Sequence, residues 1–205
     1  MVERYPECWK EFLETNLNTP VLISLAKDIL PNINYYPQYN NIFNVFNMEL
    51  NNIKLVIIGL DPYPHNAACG YAFAVSKGIK KPASLRIIEK ELGHEINPSL
   101  EDWIDKGVFL LNAALTVEAG KPGSHLKYWK TFTENLIQEI SKKQACAWLL
   151  MGKYAQNYEQ FVQNKDIHTI FKVPHPAAEV YSGNKAGFLG SGVFKQIKKS
   201  IDLEL

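Results

Sequence analysis

Three polar residues stand where apolar runs stop, and each has the chemistry of a catalytic or recognition group. Asp61 follows the run in KLVIIGLDPYPHNAACGYAFAV (residues 54–75), one leucine after its glycine. A carboxylate at a half-covered strand end can take part in acid–base or charge-stabilising chemistry, although Asp is also a common turn or cap residue. Asn112 closes the run in GVFLLNAALTV (107–117). Its amide offers both a donor and an acceptor, so it can read a complementary polar edge or simply cap a strand. His175 lies between Pro174 and Pro176. A neutral imidazole donates a hydrogen bond without carrying a full charge, although a lone loop histidine is also an ordinary surface residue.

The elements around these residues say how they are positioned. Four apolar runs have strand length: 55–58, 108–111, 147–151 and 169–173. Helical spacing lies between and after them. Leu85, Ile88 and Leu92 share a face that Gly93 stops; Trp129, Phe132, Leu136 and Ile140 share another. Residues 154–162 form a third pattern, and Val193, Phe194, Ile197 and Ile201 the last. Near the start, residues 3–17 show helical patches, and Thr19-Pro20 reads as cap and first residue of a helix over 21–30. Residues 31–52, rich in Asn and Tyr, read as a long ordered loop. Strands alternating with helices predict a three-layer α/β/α fold with a central four-stranded, mainly parallel sheet. Ligands of such sheets bind beyond the carboxyl ends of the strands. Asp61, Tyr63, Asn112 and His175 all follow strand ends, so the topology predicts a ligand site there without naming the ligand.

The totals narrow the classes. A chain of 205 residues with 46% hydrophobic residues suits one domain spanning 1–205, and a net charge of +1 announces no polyanion partner. Three widely spaced cysteines, Cys8, Cys69 and Cys146, predict no disulfide framework and a reducing compartment. The N-terminus lacks the pattern of a signal peptide and no apolar run reaches spanning length, so a cytoplasmic location (nuclear in a eukaryote) and no membrane contact are expected. His65 and Cys69 are four apart but have no second ligand pair, so no metal site is expected. There is no P-loop, and GFLGSG (187–192) has the wrong glycine spacing for a dinucleotide site.

Seven segments in order resemble the family 1 uracil-DNA glycosylases, from about residue 42 to 194. IFNVFNMELNNIKLVIIGLDPYP is similar to the family's lead-in and its GQDPYHG motif, and GYAFAV to its GLAFSV. KKPASL resembles its proline-rich serine loop, GVFLLNAALTV its second-strand motif, and GSHLKYW its Asn-Ser-His segment. WLLMGKYAQ resembles its third strand, and HPAAEVYSG with GFLGSGVF its HPSPLS loop and the segment after that loop. The resemblance implies hydrolysis of the N-glycosidic bond of deoxyuridine in single- or double-stranded DNA by a monomer that needs no metal or cofactor. The base must leave the stack to be reached. It further implies that Asp61 orients water and stabilises a cationic sugar, while His175 and the Leu60 N–H face uracil O2. Asn112 would read O4 and N3–H, Tyr63 would exclude a thymine methyl, and Phe73 would stack on the base. On pattern alone, YAFAV reads Phe73 as a core aromatic. Ser84, Ser124, His125, Val180 and Tyr181 are implied DNA contacts, Ser84 being also a plausible helix N-cap.

The chain departs from the family pattern at Leu60 (usually Gln), at Pro64 (usually His), and in a segment between Tyr63 and Gly70 that is one residue short. Glu179 falls where the family places a leucine wedge, which predicts weak duplex handling and a relative preference for single strands, with Val180 or Tyr181 as substitute wedge. Two other functions fit the same residues: a glycosylase with shifted base preference, and a DNA-binding accessory protein that kept the fold without the chemistry.

Overall fold

The computed structural model describes residues 2–143 and 145–205. Strands β1 (Leu55–Gly59), β2 (Val108–Asn112), β3 (Ala147–Met151) and β4 (Thr169–Val173) form the central sheet. Their order is β2-β1-β3-β4 and every neighbouring pair is parallel. The first two strands each run one residue beyond the expected limits, to Gly59 and Asn112, and these two residues lie opposite one another in register. That register levels the strand ends where the polar residues begin.

Four longer helices cover the sheet: α1 (Glu7–Leu17), α2 (Ala83–Leu92), α3 (Leu126–Lys143) and α4 (Val193–Ile201). Successive strand residues point to opposite faces, so each apolar run feeds two cores. Val56, Ile58, Phe109, Leu111, Trp148 and Leu150 pack with the buried stripes of α1 and α3. Leu55, Ile57, Val108, Leu110, Ala147 and Leu149 pack with those of α2 and α4. Each fully buried side chain of the larger apolar kind contributes about 1.5–3 kcal/mol. The first core is dominated by aromatic edges: Trp9 meets Phe46 at 5.2 Å and Phe12 meets Phe132 at 5.3 Å. Gly93 ends α2 in the left-handed region at φ 82°.

Other expectations shift at the edges. Thr19 Oγ1 accepts from the Leu22 N–H at 3.4 Å, as a cap should, but the helix it opens runs Pro20–Ser24 and continues as a π turn, Leu25–Ile29. The pattern at 154–162 divides into an α turn, Gly152–Gln156, and a 3₁₀ stretch, Asn157–Phe161. Within the long loop, Tyr35–Tyr36 pairs antiparallel with Val117–Glu118, a ribbon too short to leave a period in the sequence. Among the described residues no helix is long and apolar enough to cross a membrane.

Candidate active site

The carboxyl ends of β1, β2 and β4 open on one cavity of about 230 Å³. Its wall includes Gly59, Asp61, Tyr63, Phe73, Asn112 and His175, with Leu60, Pro62, Pro64, Tyr71, Ser84 and Pro122 completing it. All six residues assigned to chemistry or base reading, Leu60 among them, line it. Tyr71 and Pro122 were not foreseen from the sequence, and neither was the part played by Gly59.

Asp61 stands two residues past the end of β1. One carboxylate oxygen, Oδ2, accepts from the Gly123 N–H at 2.5 Å, across 62 residues of sequence. The other has no hydrogen-bond partner among the described residues, which leaves it free for a water or a cationic centre. Burial pushes the Asp61 pKa up, and the Gly123 N–H opposes that shift only in part. The turn containing Gly123 thus fixes the carboxylate without neutralising it.

Asn112 is the last residue of β2 and only 4% exposed. No hydrogen bond among the described residues claims its amide. Gly59 lies opposite, and a methyl group at that position would sit 2.5 Å from Asn112 Oδ1 and 3.0 Å from the Ala72 Cβ. Glycine is required at 59 for space, and the space is filled by the Asn112 amide.

His175 follows β4. Its Nδ1 accepts from the Ala177 N–H at 3.1 Å, so Nδ1 carries no proton and Nε2 carries the N–H. Solvent reaches the ring, yet the protein crowded around it still pushes the His175 pKa below the usual histidine value by desolvation. The imidazole therefore stays a neutral donor into mildly acid solution. Gly152 at φ 85° passes so close that a Cβ there would meet the His175 Cβ at 2.8 Å.

Phe73 is half-buried at the cavity wall rather than sealed in the core, and its ring lies near parallel to that of His175 at 6.0 Å and 30°. Its backbone occupies the left-handed region at φ 65°, which is rare for a bulky residue and costs about 1–3 kcal/mol. The Tyr63 hydroxyl donates to the Phe73 carbonyl at 3.1 Å, so one wall residue braces the strained backbone of another. Alternation in YAFAV cannot show this, because the local period is broken at that residue.

The expected DNA contacts divide. Ser84 is not a helix cap: Pro82 holds the N-cap position of α2, and Ser84 Oγ lies 3.5 Å from the Tyr63 hydroxyl in the cavity wall. Ser124 Oγ accepts from the Glu118 N–H at 2.9 Å and ties the turn that carries Gly123. The contact expected of His125 is corrected. That residue is 2% exposed, its Nδ1 sits 2.9 Å from Thr116 Oγ1, and Thr116 accepts from Trp129 Nε1 at 2.8 Å. Burial pushes its pKa down, as expected for a structural histidine. Val180 and Tyr181 are 53% and 88% exposed and stand on the surface next to the His175 turn. Glu179 is fully buried with its carboxylate bound by the 186–189 backbone, so the reading that placed it at the wedge position is corrected as well. Among the described residues no three His, Cys, Asp or Glu side chains gather as metal ligands.

Comparison with known proteins agrees with this geometry. The sequence model of the Uracil DNA glycosylase superfamily matches residues 47–192. A uracil-DNA glycosylase of Campylobacter jejuni (strain RM1221) is 38% identical over 202 residues, covering 92% of this chain and 85% of that protein. One from Amoebophilus asiaticus is 38% identical over 201 residues, covering 92% and 90%. Among solved structures, the mimivirus uracil-DNA glycosylase superposes with a TM-score of 0.79 at 24% identity, covering 86% of this chain and 71% of that one. The UNG of Nitratifractor salsuginis gives 0.70 at 20%, covering 96% and 92%. With the match spanning all four strands and every wall residue of the cavity, the chain belongs to the uracil DNA glycosylase superfamily.

Proposed function

We propose that this protein hydrolyses the N-glycosidic bond of deoxyuridine in DNA, releasing uracil and leaving an abasic site for base excision repair. The observation that carries the reading is the convergence of one fixed carboxylate, one unclaimed amide and one neutral imidazole N–H on a cavity walled by Phe73 and Tyr63. As the bond from the sugar to N1 breaks, the sugar gains positive charge and the base negative charge. Asp61 stabilises the first and orients the water whose oxygen bonds to the sugar carbon, the proton that this water loses balancing the uracil anion that leaves. The Nε2–H of His175 and the backbone N–H of Leu60 stabilise the second at uracil O2, where preorganised donors have their largest effect. The Asn112 amide matches O4 and N3–H of uracil, whereas cytosine offers a donor at position 4 and no proton at N3.

The accessory-protein alternative has no use for an unpartnered buried amide, and a glycosylase of another base preference would need a different polar edge at residue 112. One assay separates all three. Single- and double-stranded oligonucleotides carrying U, T or C are incubated with the protein in EDTA, and abasic sites are scored by strand cleavage. Release confined to U is expected; no release overturns the enzymatic reading, and release from C or T in its place favours the shifted preference.

Tyr63 also yields a prediction. Its ring occupies cavity wall beside the base plane, so Tyr63→Ala admits a 5-methyl group and lowers discrimination against thymine by at least about tenfold, within the about 10–200-fold that one methyl group supplies in an apolar pocket. Tyr63→Phe keeps the ring and the discrimination but loses the bond to the Phe73 carbonyl. Thymine release from T-containing strands by the two variants checks this, and a silent Tyr63→Ala removes the steric role.

A further inference from the structure

The turn after His175 carries a buried carboxylate that has no part in uracil release as proposed. Glu179 is 0% exposed and makes no ion pair among the described residues. Its Oε1 accepts from the N–H groups of Phe188 at 2.6 Å and Leu189 at 2.9 Å, and its Oε2 from Ala186 at 2.9 Å. Burial alone would raise its pKa, but the N–H groups of Leu189, Ala186, Phe188 and Gly187 outweigh it and hold the carboxyl below the usual range. A buried charge satisfied in this way is fixed in direction, because losing any one bond leaves a desolvated group unpaired.

Both ends of this contact are anchored. On the receiving side, Phe188 is fully buried and meets Phe194 edge-on at 6.3 Å in the core under α4. A second carboxylate, Glu91 of α2, accepts from Gly190 and Gly192 at 2.6 and 2.7 Å. Residues 186–192 are thus held by two acidic side chains and the core. On the other side, the chain from His175 to Glu179 is one hydrogen-bonded turn. Ala178 N–H donates to the His175 carbonyl at 2.9 Å, Glu179 N–H to that of Pro176 at 3.1 Å, and Ala177 N–H to the His175 imidazole itself. A displacement of Glu179 has no slack to absorb it before it reaches the ring.

We propose that Glu179 is a positioning residue for His175: its carboxylate roots the turn in the 186–189 segment, and the rooted turn fixes the donor to Nδ1 and aims Nε2–H into the cavity. This rests on the reading of the cavity as a uracil-release site. Glu179→Gln is nearly isosteric but replaces one acceptor oxygen by an NH₂ group, and since donors face both oxygens, either orientation sets donor against donor. On a single-stranded uracil oligonucleotide, kcat is expected to fall at least about tenfold with little change in KM, as for closely coupled neighbours. In a His175→Ala background the same substitution is expected to cost nothing further. An equal loss in both backgrounds overturns the proposal and leaves Glu179 a general fold-stabilising residue. The ¹⁵N resonances of the His175 imidazole give a second readout that needs no activity. The wild type is expected to show one neutral tautomer with Nδ1 bare, and Glu179→Gln a mixture of tautomers; an unchanged tautomer overturns the proposal. If the wild type releases no uracil, the functional reading fails while this spectrum still decides the part played by Glu179. If Glu179→Gln does not fold, Glu179→Asp, which keeps the charge and loses the reach, goes through the same two comparisons with the same outcomes.

Discussion

Asp61→Asn is expected to lower kcat for uracil release by about a hundred- to a thousandfold, the scale on which one preorganised electrostatic group acts in a closed site. KM is expected to change little, since the charge is matched to a cation that exists only as the bond breaks. The same substitution is expected to raise the melting temperature. Burial lifts the Asp61 pKa in the folded state above its unfolded value, so the ionised carboxylate favours unfolding. A group shifted in that direction stabilises the fold fully below its unfolded pKa and loses that contribution as pH rises through its folded pKa. Asparagine is neutral throughout and its amide oxygen can still accept from Gly123. The gap in melting temperature between variant and wild type should therefore open as pH rises through the Asp61 folded pKa and close in acid. Thermal melts across a pH series, with kcat measured at neutral pH, check both halves. Unimpaired release shows that the charge is not used, and an absent gap shows that the Gly123 N–H fully offsets the burial.

The directions of two shifts also set the acid side of the activity profile. Asp61 protonates above the usual carboxylate value and His175 below the usual histidine value. Activity should be lost as pH falls through the Asp61 pKa, which lies above the ordinary carboxylate value, while His175 stays neutral to below the ordinary histidine value. A kcat/KM profile in wild type and in His175→Ala measures this: the variant should retain a single acid limb from Asp61 alone.

Three strands were legible because they are buried along their whole length, so their runs are largely apolar; β4, buried only at Val173, was legible from Ile170, Phe171 and Val173, and all four limits fall within a residue of the observed ones. Most of the cavity wall was legible for a related reason: in a parallel sheet the residues after successive strands share a rim whatever their distance in sequence. What escaped has one physical character, contact across the sequence without a local period. The Gly123 N–H that fixes Asp61 lies 62 residues away, and nothing in GKPGSH marks it as a donor. His125 was read as a DNA contact because the Thr116 hydroxyl that partners its ring, itself bound by Trp129, is 9 residues distant and carries no motif. Glu179 looked like a residue aimed at DNA because the partners of its carboxylate are backbone N–H groups, which nearly every residue has. The sequence position of a buried carboxylate held by backbone alone is silent about where it points.

Gly59 carries the second large effect, and it is one of geometry. Its backbone is not in the left-handed region, so alanine is allowed there by conformation, and the objection is purely the occupied space. A Cβ at residue 59 would stand 2.5 Å from Asn112 Oδ1, while ordinary contact begins at 3.4 Å. Ala72, whose Cβ would lie at 3.0 Å, closes the retreat on the other side. Since Gly59 and Asn112 are paired in register in a rigid parallel sheet, the backbone cannot separate them cheaply, and the amide must move by about 1 Å, a misplacement that can cost about a hundredfold in rate. Gly59→Ala is therefore expected to lower kcat/KM for uracil by about a hundredfold while the protein remains folded, and to weaken binding of free uracil in parallel. Asn112→Ala in the Gly59→Ala background should cost little more, because the amide has already been lost from its place. Uracil release and uracil titration on Gly59→Ala, Asn112→Ala and the double variant decide this. Full activity in Gly59→Ala would mean that the Asn112 amide is not held where the register puts it.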